Sequence, residues 1–156
     1  MDKATRVIET MTMQRLTLAT AESCTGGLLG ARITDVPGAS RVYLGGIVSY
    51  AYAIKHTLLG VNAALLESKG AVCAEVAGQM AQGALRVVGA DYALAVTGNA
   101  GPGTDEKNTR LGECFVACAD AKRCCVRRLE LSGSRAENRE ACCSAALELL
   151  AEMLNI

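Results

Sequence analysis

Apolar residues recur at helical spacing in one stretch of the chain and form short continuous runs in others. Between Cys73 and Val88 the apolar positions Val76, Met80 and Ala84 lie four residues apart, which predicts an amphipathic helix. The run Tyr92–Thr97 carries no charged residue and is apolar at its centre, which is typical of a strand buried on both faces of a sheet. The chain therefore combines helical and strand segments.

The same patterns predict alternating helices and strands along the whole chain. The predicted strands are Leu16–Ala21, Leu44–Ala51, Tyr92–Thr97, Leu111–Ala119 and Cys124–Leu131. The predicted helices are a short one around Val7–Arg15, then Leu28–Thr34, Tyr52–Leu59, Ala63–Ser68, Cys73–Val88 and a last one from the capping box Ser134–Glu137 to about Leu154. This order favours the α/β class, as a three-layer α/β/α fold with a mixed sheet of about five strands and a C-terminal antiparallel hairpin. No linker or repeat is visible, so we expect one domain over residues 1–156.

Size and charge exclude several classes of protein. With 156 residues, of which 51% are apolar, the chain can bury a sizeable core. Its 16 basic and 16 acidic residues cancel, which argues against a nucleic-acid or anionic-membrane partner because no net field attracts a polyanion. No apolar run approaches the roughly 20 residues of a membrane span, and no charged-then-apolar leader opens the chain. We therefore expect a cytoplasmic protein.

Eight cysteines raise the question of a disulfide or metal framework. They show no paired C-x-x-C spacing, and His56 is the only histidine. Reduced cysteines that serve as small buried residues account better for this composition, so neither a metal nor another cofactor is expected.

Candidate chemistry lies at the ends of the predicted strands, where ligands of open α/β sheets collect. Ser23 follows the first strand within Glu22–Gly27, a segment whose hydroxyl and glycines suit a nucleophile with backbone donors for an oxyanion. Ordinary N-cap chemistry explains the same residues. Tyr50 ends the second strand, and Lys55 lies on the first turn of the next helix, where it could activate a serine without histidine. A solvated surface lysine is the alternative.

Two further features suit an anion. The glycine-rich loop Thr97–Gly103 could cradle a phosphate or carboxylate with backbone N–H groups, or could be only a tight turn. Arg135 and Arg139 lie four residues apart on one face of the last helix. They could bind an anion at its start or pair with Glu137 or Glu140 at the surface.

Six motifs follow one another from about Leu16 to Leu154. They are Glu22–Leu28; Asp35–Ser40; Gly45–Tyr50 with Lys55 and Leu59–Val61; Gly70–Val72 with Glu75–Ala77; Thr97–Gly98 with Ala100–Gly103; and Gly133 with Arg135 and Arg139. In this order they resemble the CinA C-terminal domain family, which includes stand-alone nicotinamide-nucleotide amidohydrolases. The resemblance implies a free-standing form of that domain.

The resemblance also implies a reaction, the deamidation of nicotinamide mononucleotide to nicotinate mononucleotide and ammonia in pyridine-nucleotide salvage. Ser23 would attack the amide carbon, and Lys55, assisted by Tyr50, would move the protons. The residues expected to bind substrate are Cys24, Thr25, Gly26 and Gly27 at the oxyanion, and Thr97, Gly98, Ala100, Gly101, Arg135 and Arg139 at the ribose phosphate. The expected partners are a small pyridine mononucleotide and further copies of the chain, in a homodimer or larger homo-oligomer.

The sequence departs from the family pattern at Asn99, at Thr104–Asp105 and at Asn108–Glu113. Because Ser23 and Lys55 are present, the departures bear on the substrate more than on the reaction type. Two other functions therefore stay open: a Ser–Lys amidase that acts on a different small amide, and a catalytically silent module that binds nucleotides or proteins.

Overall fold

The computed structural model describes all 156 residues and contains six helices and five strands. The helices are α1 (Lys3–Gln14), α2 (Leu28–Thr34), α3 (Tyr52–Leu59), α4 (Ala63–Lys69), α5 (Ala74–Val88) and α6 (Arg135–Met153), with a short 3₁₀ turn at Ala39–Arg41. The strands are β1 (Leu18–Glu22), β2 (Tyr43–Val48), β3 (Tyr92–Gly98), β4 (Glu113–Ala119) and β5 (Cys124–Glu130). No helix is long and apolar enough to cross a membrane.

The five strands form one mixed sheet in the order β2-β1-β3-β4-β5. Strand β1 pairs in parallel with both β2 and β3, whereas β3, β4 and β5 pair antiparallel. The predicted α/β class, the mixed five-stranded sheet and the C-terminal hairpin are thus confirmed. The carboxyl ends of β1, β2 and β3 lie at the same edge of the sheet, which brings the three candidate strand ends together.

Alternating side chains of the central strands build two cores on opposite faces of the sheet. Leu94 and Val96 point into a core that α1, α2 and α6 cover. Ala93 and Ala95 point into a second core that α3, α4 and α5 cover. On that side the packing is close, because a Cβ at Gly83 of α5 would collide with the carbonyl of Leu59.

Three predicted strand bounds are wrong by two residues or more, each for a local reason. The fourth strand begins at Glu113 instead of Leu111, because the Glu113 N–H donates to the Arg110 carbonyl and closes a turn before the strand. The first strand begins at Leu18 instead of Leu16, because the Leu16 N–H donates back to the Met11 carbonyl and closes the end of α1. The second strand ends at Val48 instead of Ala51. Beyond Val48 the backbone turns away from the sheet, and the carbonyls of Ser49 and Tyr50 accept hydrogen bonds from a lysine side chain.

Candidate active site

The turn that carries Ser23 is held by the residue before it. The buried Glu22 carboxylate accepts hydrogen bonds from the N–H groups of Gly27 (3.2 Å), Leu29 (2.8 Å) and Gly30 (3.0 Å). It therefore satisfies the first N–H groups of α2, the task that an N-cap side chain usually performs. The Ser23 hydroxyl takes no part in this capping. Its own N–H donates to the Val96 carbonyl, which fixes the turn to β3.

The structure brings the Ser23 hydroxyl and the Lys55 amine together. Nζ of Lys55 lies 2.7 Å from Oγ of Ser23, 2.6 Å from the Ser49 carbonyl oxygen and 3.0 Å from the Tyr50 carbonyl oxygen. Lys55 is fully buried and Ser23 is only 8% exposed. Lys55 is therefore not a solvated surface lysine, and its partners are two carbonyls and one hydroxyl, with no carboxylate among them.

These three contacts suit a proton acceptor. An ammonium group has three N–H donors, whereas a neutral amine has two and a lone pair. With the two carbonyls taking the two N–H bonds of the neutral form, the lone pair of Lys55 is directed at the hydroxyl hydrogen of Ser23. Burial lowers the pKa of Lys55 from 10.5 to about 8, although the nearby negative charges of Cys24 and Asp105 act to raise it. About a tenth of Lys55 is then neutral at pH 7, and the neutral fraction rises with pH.

Only part of the predicted oxyanion turn has free N–H groups. The Gly26 N–H donates to the Ser23 carbonyl and the Gly27 N–H donates to Glu22. The N–H groups of Cys24 and Thr25 have no acceptor within the protein. The predicted set of four donors is thus reduced to two, both close to the Ser23 hydroxyl along the chain.

Arg139 supports this turn from behind. Its guanidinium donates to the carbonyl oxygens of Cys24 (3.0 Å) and Thr25 (2.8 Å). The Cys24 carbonyl and the Thr25 N–H belong to one planar trans peptide and point in opposite directions. By holding the carbonyl, Arg139 turns the N–H the other way. Arg139 does not line the cleft, and its contacts are with the turn; its predicted contact with substrate stays a prediction.

A cleft of about 340 Å³ opens above Ser23, large enough for a small ligand. The predicted site residues that line it are Ser23, Cys24, Tyr50, Lys55, Thr97, Gly98, Ala100 and Arg135. Thr25, Gly26, Gly27 and Gly101 do not line it. Thr97 and Gly101 also have structural contacts, since the Thr97 hydroxyl donates to the Ala71 carbonyl and the Gly101 carbonyl accepts from Arg135.

Tyr50 contacts Lys55 through its main chain. Its side chain is 62% exposed, and its hydroxyl lies 3.5 Å from Nη2 of Arg135. The phenol therefore faces the side of the cleft that carries the arginine, and the carbonyl is the Tyr50 group that reaches the Lys55 amine.

Asp105, one of the predicted departures from the family pattern, lines the cleft, and sequence reasoning missed only its partner Tyr52. The Tyr52 hydroxyl donates to the Asp105 carboxylate, and both residues line the cleft. Burial, followed by this carboxylate, raises the pKa of Tyr52 to about 12. The Asn99 side chain accepts from the Asp105 N–H and donates to the Asn108 and Arg110 carbonyls, so it holds the loop that carries the carboxylate. The predicted departures at Asn99 and at Thr104–Asp105 mark these positions in the sequence, whereas nothing local indicates the contact with Tyr52.

Comparison with known proteins gives a consistent result. A sequence model described as CinA C-terminal domain matches residues 1–154. A CinA-like protein of Geobacter sulfurreducens is 48% identical over 139 residues, which cover 89% of this chain and 34% of that protein. One of Mycobacterium tuberculosis strain H37Rv is 47% identical over 140 residues, which cover 88% of this chain and 32% of that protein. The chain thus spans about a third of the length of these relatives.

Solved structures resemble the whole fold. The competence/damage inducible protein CihA from Agrobacterium tumefaciens superimposes with a TM-score of 0.92 at 37% identity, over 96% of this chain and 92% of that one. A competence-damaged protein (CinA) superfamily protein from Escherichia coli superimposes with a TM-score of 0.93 at 28% identity, over 97% and 88% of the two chains.

Proposed function

The chain belongs to the CinA C-terminal domain family, and from that premise we propose that it is an amidohydrolase that deamidates nicotinamide mononucleotide. The observation that carries the proposal is the 2.7 Å contact between Lys55 Nζ and Ser23 Oγ, made by a buried lysine with a lowered pKa. A nucleophile and a base within hydrogen-bond distance are what covalent amide hydrolysis requires.

In the proposed reaction, neutral Lys55 takes the Ser23 proton while Oγ forms a bond to the carboxamide carbon. The Lys55 ammonium then gives that proton to the leaving nitrogen, the carbon–nitrogen bond breaks, and ammonia departs. Water next attacks the nicotinoyl ester, Lys55 accepts a proton from this water and returns it to the Ser23 oxygen. The sum is one amide and one water converted to one acid and one ammonia, with the enzyme unchanged.

The developing oxyanion needs a hydrogen-bond donor, and the Cys24 N–H is the candidate, because it has no acceptor within the protein and Cys24 lines the cleft. The Thr25 N–H also lacks a protein acceptor, but Thr25 is fully buried and does not line the cleft. One such preorganised donor contributes about 3 kcal/mol to transition-state stability in enzymes of this kind.

The charges on the cleft walls fit a zwitterionic substrate. Nicotinamide mononucleotide carries a cationic pyridinium ring and an anionic phosphate. Arg135 and Asp105 both line the cleft, Arg135 bonded to the Gly101 carbonyl and Asp105 to the Tyr52 hydroxyl. We place the phosphate at Arg135 and the pyridinium nearer to Asp105, because each position then pairs opposite charges and keeps the phosphate away from the carboxylate.

A substrate series tests the proposal. Purified protein should release ammonia and form the acid ribotide from nicotinamide mononucleotide, and should act far more weakly on the riboside and on free nicotinamide, which lack the phosphate. Arg135→Met should raise KM for the mononucleotide about 10-fold, the effect of losing a charged hydrogen bond, and should leave the riboside rate unchanged. Arg41→Met, which alters an exposed arginine away from the cleft, is the matched control.

The other outcomes are equally informative. If ammonia were released from a different small amide and not from nicotinamide mononucleotide, the Ser–Lys chemistry would be retained and the proposed substrate would be wrong. Saturable binding of the mononucleotide without ammonia would favour a silent binding module. The expected homo-oligomer stays a prediction, which light scattering coupled to size-exclusion chromatography checks.

Activity should rise with pH through the pKa of Lys55. Because the neutral amine is the base, kcat/KM is expected to increase between about pH 7 and pH 9, with half of the rise near pH 8. Cys24 and Asp105 are the charged groups that face the amine, and both act to raise its pKa. Asp105→Asn should therefore shift the rise in kcat/KM to lower pH. A profile that is flat across this range would contradict the role of Lys55 as the base.

A further inference from the structure

Three buried thiols lie close together next to the turn that carries Ser23. Cys24 lies in that turn, Cys114 near the start of β4 and Cys142 within α6. Their sulfur atoms all lie within 4.8 Å of one another, and none of the three is in a disulfide. Neither the proposed reaction nor the family resemblance uses this group of three residues, which we call the thiol cluster.

The spacing is close to that of a three-coordinate metal site. Zinc and similar ions bind thiolate sulfur at about 2.3 Å, and three such bonds in a plane place the sulfurs about 4 Å apart. The thiol cluster therefore needs to contract by less than about 1 Å to surround an ion. No histidine, carboxylate or fourth cysteine joins the three sulfur atoms at this distance.

The surroundings of the thiol cluster favour binding of one ion by all three sulfur atoms. Cys24 is only 7% exposed, and Cys114 and Cys142 are fully buried in the same apolar core, so the three sulfur atoms are held next to one another. The backbone leaves room for this arrangement, because a Cβ at Gly98 would collide with the Cys114 side chain. Cys24 also lines the cleft, which gives an ion a path from solvent to an otherwise enclosed cluster.

We propose that Cys24, Cys114 and Cys142 form a binding site for one soft, thiolate-seeking cation, with monovalent copper as its ion. Soft thiolate ligands select Cu⁺ and Zn²⁺ over harder ions, and structural zinc sites take four protein ligands where this cluster supplies three. On binding, each thiol that becomes a ligand releases its proton to solvent, and no electron is transferred.

Occupancy would also affect the neighbouring turn. Cys24 bears both a ligand sulfur and one of the two free N–H groups, so an ion held by its side chain constrains that N–H. This consequence for turnover rests on the proposed function, whereas the binding site itself does not.

Anaerobic titration of the reduced protein with Cu⁺, against a chromogenic Cu⁺ chelator, tests the site. We expect one high-affinity ion per chain, with thiolate-to-copper charge-transfer absorption in the ultraviolet. Cys142→Ala and Cys114→Ala should each weaken this binding by more than the roughly 10–100-fold that loss of an outer-shell partner costs. Cys143→Ala, which removes the adjacent buried thiol of α6 that lies outside the cluster, should bind as the unaltered protein does.

The design separates the cluster from other thiols and from misfolding. Background binding of Cu⁺ is the same in every variant, because all of them keep the partly exposed Cys73, Cys124 and Cys125. Circular dichroism identifies a variant that fails to fold, and the two cluster variants provide independent tests. Equal affinity in Cys142→Ala and Cys143→Ala, the absence of saturable Cu⁺ binding, or tighter binding of Zn²⁺ than of Cu⁺ would each overturn the proposal. All these readouts are independent of amide hydrolysis, so failure of the proposed function leaves the test intact.

Discussion

Ser23→Ala is expected to lower the turnover of nicotinamide mononucleotide by about 10⁴-fold or more, since the loss of a nucleophile in a coupled nucleophile–base pair removes most of the catalysis. The Lys55 amine keeps its two carbonyl partners in this variant, because neither belongs to residue 23. The cleft walls are also retained, so binding of the substrate should be nearly unchanged. Ammonia release measures the first effect, and isothermal titration calorimetry measures the second.

Ser40→Ala serves as the matched control, since Ser40 is exposed and lies outside the cleft. It should turn over substrate at the unaltered rate. If Ser23→Ala retained turnover within about 10-fold of the starting protein, the hydroxyl would not be the nucleophile and the covalent route would be abandoned.

Lys55→Met is expected to lower turnover by about 10²- to 10⁴-fold, the range that a general base contributes. The same change should affect stability in a pH-dependent way. The pKa of Lys55 is 10.5 in the unfolded chain and about 8 in the folded protein. Between pH 8 and pH 10.5 the unfolded chain therefore binds more protons at this residue than the folded protein does. The free energy of unfolding therefore rises with pH across that window, by about 3 kcal/mol from this residue.

Below pH 8 the buried ammonium works against folding, and Lys55→Met removes that penalty. It also leaves the Ser49 and Tyr50 carbonyls without their donor, at a cost of about 1 kcal/mol each. The variant should consequently equal or slightly exceed the starting protein in stability at pH 7 and become the less stable of the two near pH 10. Urea unfolding at both pH values measures this, with the exposed Lys122→Met as control. Stability curves that stay parallel for the starting protein and Lys55→Met would show that burial does not shift Lys55.

The sheet could be predicted because its signals are local. The central strand β3 is a short apolar run, and α5 repeats its apolar residues at helical spacing, so neither needs distant information. The second strand was overextended because Ser49 and Tyr50 continue the strand pattern in sequence, while a side chain from the following helix claims their carbonyls. Tertiary contacts of this kind leave no trace in the local pattern.

The part of the site that lies at strand ends could be predicted. The part that depends on contacts between residues far apart in the sequence could not. Ser23 and Lys55 meet because β1 and β2 are parallel neighbours. Arg135 and Arg139 share a helix face, yet each reaches a different loop, with Arg135 on the Gly101 carbonyl and Arg139 on the turn after β1. The Tyr52–Asp105 pair joins residues 53 positions apart, and no spacing rule indicates it.

The thiol cluster was hidden for the same reason. Its members come from a turn, a strand and a helix, and single cysteines spread over such distances read as small core residues. Only the packing of α6 on β4 and on the turn after β1 brings the sulfurs together.

Main-chain hydrogen bonds between neighbouring strands fix the positions of Ser23 and Ser49. Ser23 is anchored to Val96, and Ser49 is anchored to the Glu22 carbonyl, so the distance between hydroxyl and amine is inherited from the pairing of neighbouring strands. The Asn99-centred loop is joined to α3, the helix that carries Lys55, through the hydrogen bond from Tyr52 to Asp105. A substitution at Asp105 is therefore expected to alter the cleft wall and the ionisation of the amine at once, so that selectivity and proton transfer evolve as linked traits.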